Sequence, residues 1–597
     1  MDTKKLILAI VLSVAVLLVY QYVFMPKPAP RSGPPPAGRA EAPPPAAAAV
    51  EEAPPPGEPD ATEADIASIL GQGEPVAAAV EEAPLAAVEQ DVAAPDERAV
   101  RVDSPLFTAV FTNRGAGLTS FLLKKYKDDA GKPMDLVARS ARDFAGFFPF
   151  YFLGGEEHFA VLNKALFSYR GERIVPVSGR TEVVFEYADA SRNLKAVKKF
   201  VFNHRDYVVG LEFTVVKDGR PLVDLPVVFG PDLGNNDSRD RAMMMNLKIA
   251  AFANEKLESI EFAKMKTQPQ AGQPFEKTAG EKGSGFFWSA YETTYFAVVF
   301  RSAPQNRSKL AYQMIRRPPQ GKEPAKLYSY MIVTDPAAAF MGPKDERALA
   351  AVEGVFPELN KIIEYGWFGS IAKIMLKGIN AIHGFIPNYG WALIVFTLFL
   401  KLILFPLTYS SSVSMAKMQS LQPKLKAIKK KYKNTKDMEQ RKLMNMEMMA
   451  LYKQEKVNPA GGCLPLLLQL PLLWGFFRLL SVSINVRHEP WILWITDLSK
   501  KDPFYVLPIL MGVTQLIQQR MTPSGGDDTQ RKLMYILPFV MVIMFASFPS
   551  GLNLYWCFSN VLQIGQQYLI NEKIHKQKKQ EERDLRSLKR KKGAREK

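Results

Sequence analysis

Cysteine and histidine are scarce in this 597-residue chain, which holds two Cys and five His. Both cysteines, Cys463 and Cys557, lie in apolar stretches, so no disulfide framework is implied. The histidines, at 158, 204, 383, 488 and 575, share no spacing suited to a metal, and neither metal nor cofactor is expected. There is no Gly-x-x-x-x-Gly-Lys-Ser/Thr phosphate loop, which leaves no visible nucleotide site. A carbohydrate-active enzyme in the polar region would need convergent His and carboxylates, and that region holds only His158 and His204. Acid is short as well: Asp and Glu number 60 against 77 Lys and Arg, a net charge of +17. Such an excess suits nucleic acid, anionic lipid or the inner loops of a membrane protein, and its location decides among them.

Long apolar runs are plentiful. Leu6 to Phe24 is unbroken apolar sequence apart from Ser13 and Gln21, follows Lys4 and Lys5, and ends without an Ala-x-Ala site. An uncleaved anchor over 1–25 with a cytoplasmic N-terminus is expected, a cleaved signal being the alternative. Residues 26–100 are rich in Pro, Ala and Glu, with 13 prolines among the 35 residues from Pro26 to Asp60. That composition cannot bury a core and reads as an extended linker. Residues 101–355 switch to short strand-like runs such as LFTAVFTN (106–113), TEVVFEY (181–187) and TTYFAVVF (293–300). An all-β sandwich-type domain is expected, wholly exoplasmic because no apolar span interrupts it.

Residues 361–385 carry Phe368, Ile371, Met375, Ile379 and Ile382 at helical spacing, with Lys373, Lys377 and Asn380 opposite. This reads as an amphipathic interfacial helix, or as an ordinary helix packed on the β domain. Within 386–572 come five apolar segments: 389–409, 463–484, 503–519, 533–548 and 551–570. With the anchor they make six spans and put both termini in the cytoplasm. The third and fourth are short, so local bilayer thinning is expected. Charge agrees with that topology. The loop 410–460 holds twelve Lys and Arg against four Asp and Glu, and the tail from 571 holds twelve against five. The loop 485–502 is balanced at three against three.

One charge is out of place. Lys401 interrupts VFTLFLKLILFPL (395–407), with Thr397 as the nearest polar neighbour. A centrally placed charge costs about 2.5–3.5 kcal/mol on insertion scales. Either its stem carries the ammonium toward the inner interface, or it faces a wet pocket among the spans. Such a pocket has lining at hand in Thr514, Gln515, Gln518 and Gln519, and in Asn553, Ser559, Asn560, Gln563, Gln566 and Gln567. Helix–helix hydrogen bonding is the plainer role for any one of these amides. Arg478 lies near the outer end of its span and reads as an anchor.

Residues 412–456 read as a cytoplasmic helical hairpin broken at Lys-Asn-Thr-Lys, with seven of the 23 methionines, among them Met415, Met418, Met444 and Met448. Methionine suits varied apolar partners or a hairpin seam. The basic tail, 573–597, is a charge run suited to lipid headgroups or ribosomal RNA.

Four strings, SMAKMQSLQPKLKAIKKKY (414–432), MMALYKQEKVNPAGGCLPLLLQLPLLWGFF (448–477), LWITDLSKKDPFYVLPILMGVTQLIQQRM (493–521) and FPSGLNLYW (548–556), resemble the Oxa/Alb/YidC family of membrane insertases. The anchor and β domain resemble the Gram-negative form, as in GFFWSAYETTYFAVVF (285–300). The resemblance implies a polytopic α-helical inner-membrane protein with a five-helix core and a periplasmic β-supersandwich. It would be an insertase and chaperone, not an enzyme, acting on nascent membrane proteins alone or with the Sec translocon, with the ribosome and anionic lipids as further partners. It also implies a substrate groove containing Lys401, Thr397, Gln519 and Trp556, and an apolar slide at Leu470, Leu473 and Met544. Most relatives have arginine where this chain has Lys401, so the charge is kept and the bidentate fork is lost. A secondary transporter is the competing class; it should carry repeated halves, and none is visible in the sequence.

Overall fold

The computed structural model describes residues 88–595 apart from 139–144, 172–178, 235–247, 254–255, 262–274, 280–286, 303–309, 318–325, 433–437, 456, 458–463 and 523–527. The expected anchor over 1–25, the linker up to 87 and the hairpin breaker therefore lie outside the described residues. The chain divides into two compact units, Met1–Ile362 and Ile363–Lys597.

The first unit is built of β-sheet. Its largest sheet has ten strands, and its middle runs 288–292, 296–302, 336–343, 208–217, 194–203 and 180–189, each antiparallel to the next. Two four-stranded sheets accompany it. Alternation explains the inner face: in Leu194–Asn203, residues 194, 196, 198, 200 and 202 are buried and the intervening ones are not. Phenylalanine fills this interior, with Phe111 and Phe200 centroids 4.7 Å apart and Phe107 and Phe121 4.8 Å apart. The domain begins before the expected boundary at 101. Val92 already bridges Ala188, and Ala94 N–H donates to Leu166 O at 2.9 Å.

The period-two register also turns Lys198 inward. Its ammonium is fully buried, donates to the carbonyls of Gly115 (2.8 Å) and Phe150 (2.7 Å), and lies 4.1 Å from the Phe152 ring centroid. Burial holds its pKa well below the ordinary lysine value. Both carbonyls belong to corners with positive φ, +61° at Gly115 and +71° at Phe150. One buried amino group thus pins two left-handed turns. At Gly115 an added Cβ would stand 2.7 Å from Asn163 O, so glycine is required there.

The hairpin between strands 194–203 and 208–217 is closed by Asp206, which accepts from Val208 N–H (2.8 Å) and Asn203 Nδ2 (2.7 Å). Burial outweighs these bonds and raises its pKa to about 6. A carboxyl raised in the folded state binds extra protons between its unfolded and folded pKa values. The β unit is therefore expected to gain about 2 kcal/mol as pH falls through 6 toward 4, and to lose it as pH rises. Pulse proteolysis in urea at pH 7 and pH 5 measures this, and Asp206→Asn should flatten the difference. An unchanged difference in that variant would remove Asp206 as its source.

The second unit is helical: α1 Gly369–His383, α2 Tyr389–Ser420, α3 Gln422–Lys431, α4 Met438–Gln454, α5 Leu464–Val482, α6 Val506–Met521, α7 Asp528–Phe545 and α8 Ser550–Arg595. Among the described residues, α2 alone is long and apolar enough to cross a membrane by length and composition, while Leu468–Val482 and Met534–Phe545 are shorter apolar helices. Asn388 caps α2 by accepting from Trp391 N–H at 3.1 Å. Two helices run past the expected segment ends. α2 continues to Ser420 through the Ser-Ser-Ser run at 410–412, and α8 carries the basic tail as helix to Arg595. The amphipathic segment, expected from 361, is α-helical only from Gly369. Its buried face is Ala372, Met375, Leu376 and Ile379, which packs on α5 and α2. That face lies about one position from the expected one, and Phe368 and Ile371 are only half-buried.

α8 packs along α6 and α2, and α7 along α6. Arg478 does not reach outward as an anchor. Its guanidinium donates to the carbonyl of Glu364, ahead of α1. A backbone acceptor within reach holds the charge better than a route to solvent.

Candidate functional site

α2, α5, α6, α7 and α8 converge on one cavity of about 300 Å³. From α2 come Thr397, Lys401, Thr408, Ser411, Ser412 and Met415, with leucines between them. These recur at three- and four-residue steps, so one face of the helix supplies them all. At 1.5 Å per residue the face runs about 27 Å along the helix, and Lys401 stands about 18 Å from its start at Tyr389. α6 adds Gln515, Gln518, Gln519 and Thr522, and α8 adds Tyr555, Trp556, Asn560, Gln563 and Gln567. Leu468, Gln469 and Leu472 of α5 and Met534, Leu537 and Pro538 of α7 give it a largely apolar side.

Lys401 Nζ donates to Gln563 Oε1 at 3.1 Å, and Gln566 Nε2 reaches the Lys401 carbonyl at 3.5 Å. A neutral acceptor holds the ammonium without cancelling its charge. Trp556 Nε1 donates to Gln515 Oε1 (3.2 Å), Gln515 to Gln518 (3.3 Å) and Gln518 to Thr522 (3.2 Å), a ladder along α6. Nearer the hairpin end, Ser412 donates to Gln567 (3.1 Å), Gln567 to Asn571 (2.8 Å) and Asn571 to the Met521 carbonyl (3.0 Å). That chain ties α2, α8 and α6 together. Toward the opposite end aromatic rings pack together, with Phe476 and the cavity-lining Tyr555 at a centroid distance of 4.0 Å and Phe477 and Phe548 at 5.2 Å. The result is a pocket with one cation, several amides and a greasy flank.

Of the residues singled out from sequence, Lys401, Thr397, Gln519, Trp556 and Met415 line this cavity. Thr397 is wholly buried and spends its hydroxyl on the Leu393 carbonyl at 2.7 Å. Leu470, Leu473 and Met544 do not line it. Leu470 is 51 % exposed, about 100° round α5 from the cavity-facing Gln469, and Leu473 and Met544 are half-buried. The expected slide thus lies outside the pocket wall. Ser559 is buried and Gln566 faces the α2 backbone, so the polar stripe of α8 is Trp556, Asn560, Gln563 and Gln567. Ser411 and Ser412 lie past the expected segment end at Tyr409, whereas Thr408 and Gln469 are single polar residues inside the apolar segments 389–409 and 463–484. The triple serine three turns after Lys401 was the available signal.

The hairpin methionines divide. Met418, near the end of α2, is buried with Leu421, Leu425 and Val457, and Met448 of α4 packs against that cluster, so both belong to the hairpin seam. Met444 is half-buried, whereas Met438, Met446 and Met449 are 82 %, 60 % and 50 % exposed. Helical phase explains the division: Met438, Met446 and Met449 are offered outward, while Met418 and Met448 take the seam role. Lys424 pairs with Glu455 at 2.6 Å and Lys431 with Glu447 at 3.2 Å across the two helices. The Lys431 hydrogen bond holds the Glu447 carboxyl below its ordinary pKa.

With this geometry in hand, comparison with known proteins is direct. The family model described as 60Kd inner membrane protein matches residues 381–579, and that of the YidC periplasmic domain matches 99–377. The membrane protein insertase YidC of Citrifermentans bemidjiense is 35 % identical over 591 residues, covering 96 % of this chain and 99 % of that protein. The insertase YidC of Geobacter sp. strain M21 is 36 % identical over 487 residues, covering 80 % and 86 %. A crystal structure of an active YidC insertase with its first transmembrane domain resolved is 18 % identical, covers 81 % of this chain and 95 % of that one, and has a TM-score of 0.33. The chain belongs to the YidC family of membrane protein insertases, non-enzymatic proteins of the inner membrane that carry a periplasmic β domain.

Proposed function

We propose that the cavity around Lys401 is the substrate groove. The polar leading tail of a nascent span enters it from the hairpin end and is held there by the ammonium and the amide ladder. The apolar part of the client leaves between α5 and α7 into lipid. Six spans, with the anchor as the first, put α3, α4 and the end of α8 in the cytoplasm and the segment between α5 and α6 in the periplasm. Transfer of apolar client surface into lipid, at roughly 25 cal/mol per Å², supplies the driving force. The aromatic packing at the far end supports entry from the hairpin side. The observation that carries the reading is the convergence of five helices on one cation and its amides. On this reading the exposed Met438, Met446 and Met449 meet the client first, the basic tail meets the ribosome or anionic lipid, and the chain works alone or with the Sec translocon.

Photocrosslinking from positions 519, 556 and 470 to stalled nascent chains tests the route. Positions 519 and 556 are expected to capture the polar tail, and 470 the apolar segment as it departs. Capture of the tail at 470, with none at 519 and 556, would sink the groove assignment.

A further inference from the structure

The segment joining α5 to α6, residues 483–505, is wound into a tight knot with a hydrophobic apex. Asp502 is completely buried and accepts from Trp494 Nε1 (3.1 Å), Phe504 N–H (3.0 Å) and Leu507 N–H (2.7 Å). Trp491 N–H donates to Ile495 O and Leu498 N–H to Glu489 O, each at 2.9 Å. Ser550, at the start of α8, fastens the knot by donating its N–H to Lys500 O (2.6 Å) and its hydroxyl to Asp497 O (2.9 Å). The segment is braced at several points, and yet Leu493 at the apex is 80 % exposed, beside Ile492 at 39 %. Leu493 also has φ of +53°, a left-handed conformation that disfavours a branched side chain and suits Gly or Asn. Here a rigid scaffold holds a leucine outward against its backbone preference.

The height of the apex says what meets it. Asn388, the cap of α2, donates to the carbonyls of Pro490 and Trp491, both at 3.2 Å. The Trp491 side chain lies so close over Gly390 that a Cβ there would stand 2.3 Å from it, and it packs edge-on against Trp391 at 5.8 Å. Residues 490–491 are therefore level with the first turn of α2, where its apolar run begins. Trp391 is itself 45 % exposed and Phe504 66 %. Exposed aromatic and aliphatic side chains at the first turn of a spanning helix belong at the rim of the hydrocarbon.

We propose that the Ile492–Leu493 apex is a depth anchor that inserts among lipid acyl chains at this end of the bundle. Because the same knot holds the start of α2 and of α8, the anchor fixes the height of the groove helices in the bilayer. Under the topology proposed above the leaflet is the periplasmic one, and the proposal borrows only that assignment from the functional reading.

The test uses the full chain with Cys463→Ser and Cys557→Ser, Leu493→Cys labelled with an environment-sensitive dye, in phosphatidylethanolamine–phosphatidylglycerol vesicles. Nitroxide carried high on the acyl chain is expected to remove roughly half of the emission, and aqueous iodide to leave it nearly unchanged. Quenching by iodide with no effect of nitroxide would put the apex in water and overturn the proposal. Indifference to both quenchers would mean protein covers it, which overturns it equally. Leu493→Gly relieves the backbone and keeps the fold, so with a dye at Ile492→Cys the nitroxide effect should fall in that variant. Labelling of Lys500→Cys in spheroplasts by an impermeant maleimide reports the side of the membrane separately, so an error of topology is distinguishable from an error of depth.

Discussion

Lys401→Glu is expected to reduce insertion of a client with an acidic translocated tail by more than tenfold, Lys401→Ala by about tenfold, and Lys401→Arg little. A charge pair at 4 Å is worth about 4 kcal/mol at an effective dielectric of 20, and desolvation of the arriving carboxylate removes part of it. A remainder near 1.4 kcal/mol already gives a factor of ten. Arginine keeps the charge and changes only the donor geometry. The 3.1 Å bond to Gln563 sharpens the test. Gln563→Glu leaves Lys401 in place and supplies a resident counter-ion, so it should depress acidic-tail clients selectively while a neutral-tail client inserts as before. Protease protection in reconstituted vesicles, with the tail charge varied from client to client, separates the outcomes. Equal insertion by Lys401→Ala and the parent across all tails would leave the groove charge without a role.

Much of this site was readable because its signals are local and chemical. An ammonium inside an apolar run is conspicuous, and the glutamines of 514–519 and 559–567 stand out against Leu and Ile. Helix phase was harder. Leu470 and Gln469 are neighbours in sequence, yet one lines the cavity and the other is half-exposed outside it. Gln469 is the one amide of α5 and turns to the cavity, but the leucines around it carry no such mark, because a helix in lipid has apolar partners all round. The same ambiguity leaves the hairpin methionines open between partner surface and seam in the sequence, and the way the two arms meet puts Met418 and Met448 in the seam. Helix ends were hidden for another reason. Ser410–Ser412 are poor interior helix formers by propensity, but Ser412 bonds to Gln567 and the helix runs on. In the β unit the alternation of 194–203 was plain, but an inward lysine contradicts it on hydropathy alone. Only the paired carbonyls of Gly115 and Phe150 explain Lys198.

The largest stability effect is expected at a second buried cation of that unit. Lys344 follows the strand 336–343, and its Nζ lies 2.6 Å from Glu292 Oε2 and 3.2 Å from Thr293 O. The side chains are 8 % and 2 % exposed. The pair stands where the sheet passes the chain to the helix Glu346–Ala350, alongside Trp288 Nε1 bonded to Pro357 O and Arg301 Nη1 bonded to Val355 O. Removing one partner of a buried pair strands the other charge, at a cost of about 3–5 kcal/mol, although the pair itself can be worth little against an apolar replacement. Lys344→Met is therefore expected to lower the stability of the β unit by that amount. Glu292→Gln should cost less, since the amide oxygen still accepts from the ammonium. The double variant Glu292→Leu with Lys344→Met should recover most of the loss of the single lysine change. Urea midpoints from pulse proteolysis order the four proteins. If Lys344→Met unfolds at the parent midpoint, the carboxylate has found water, and the junction is looser than its 2.6 Å contact implies.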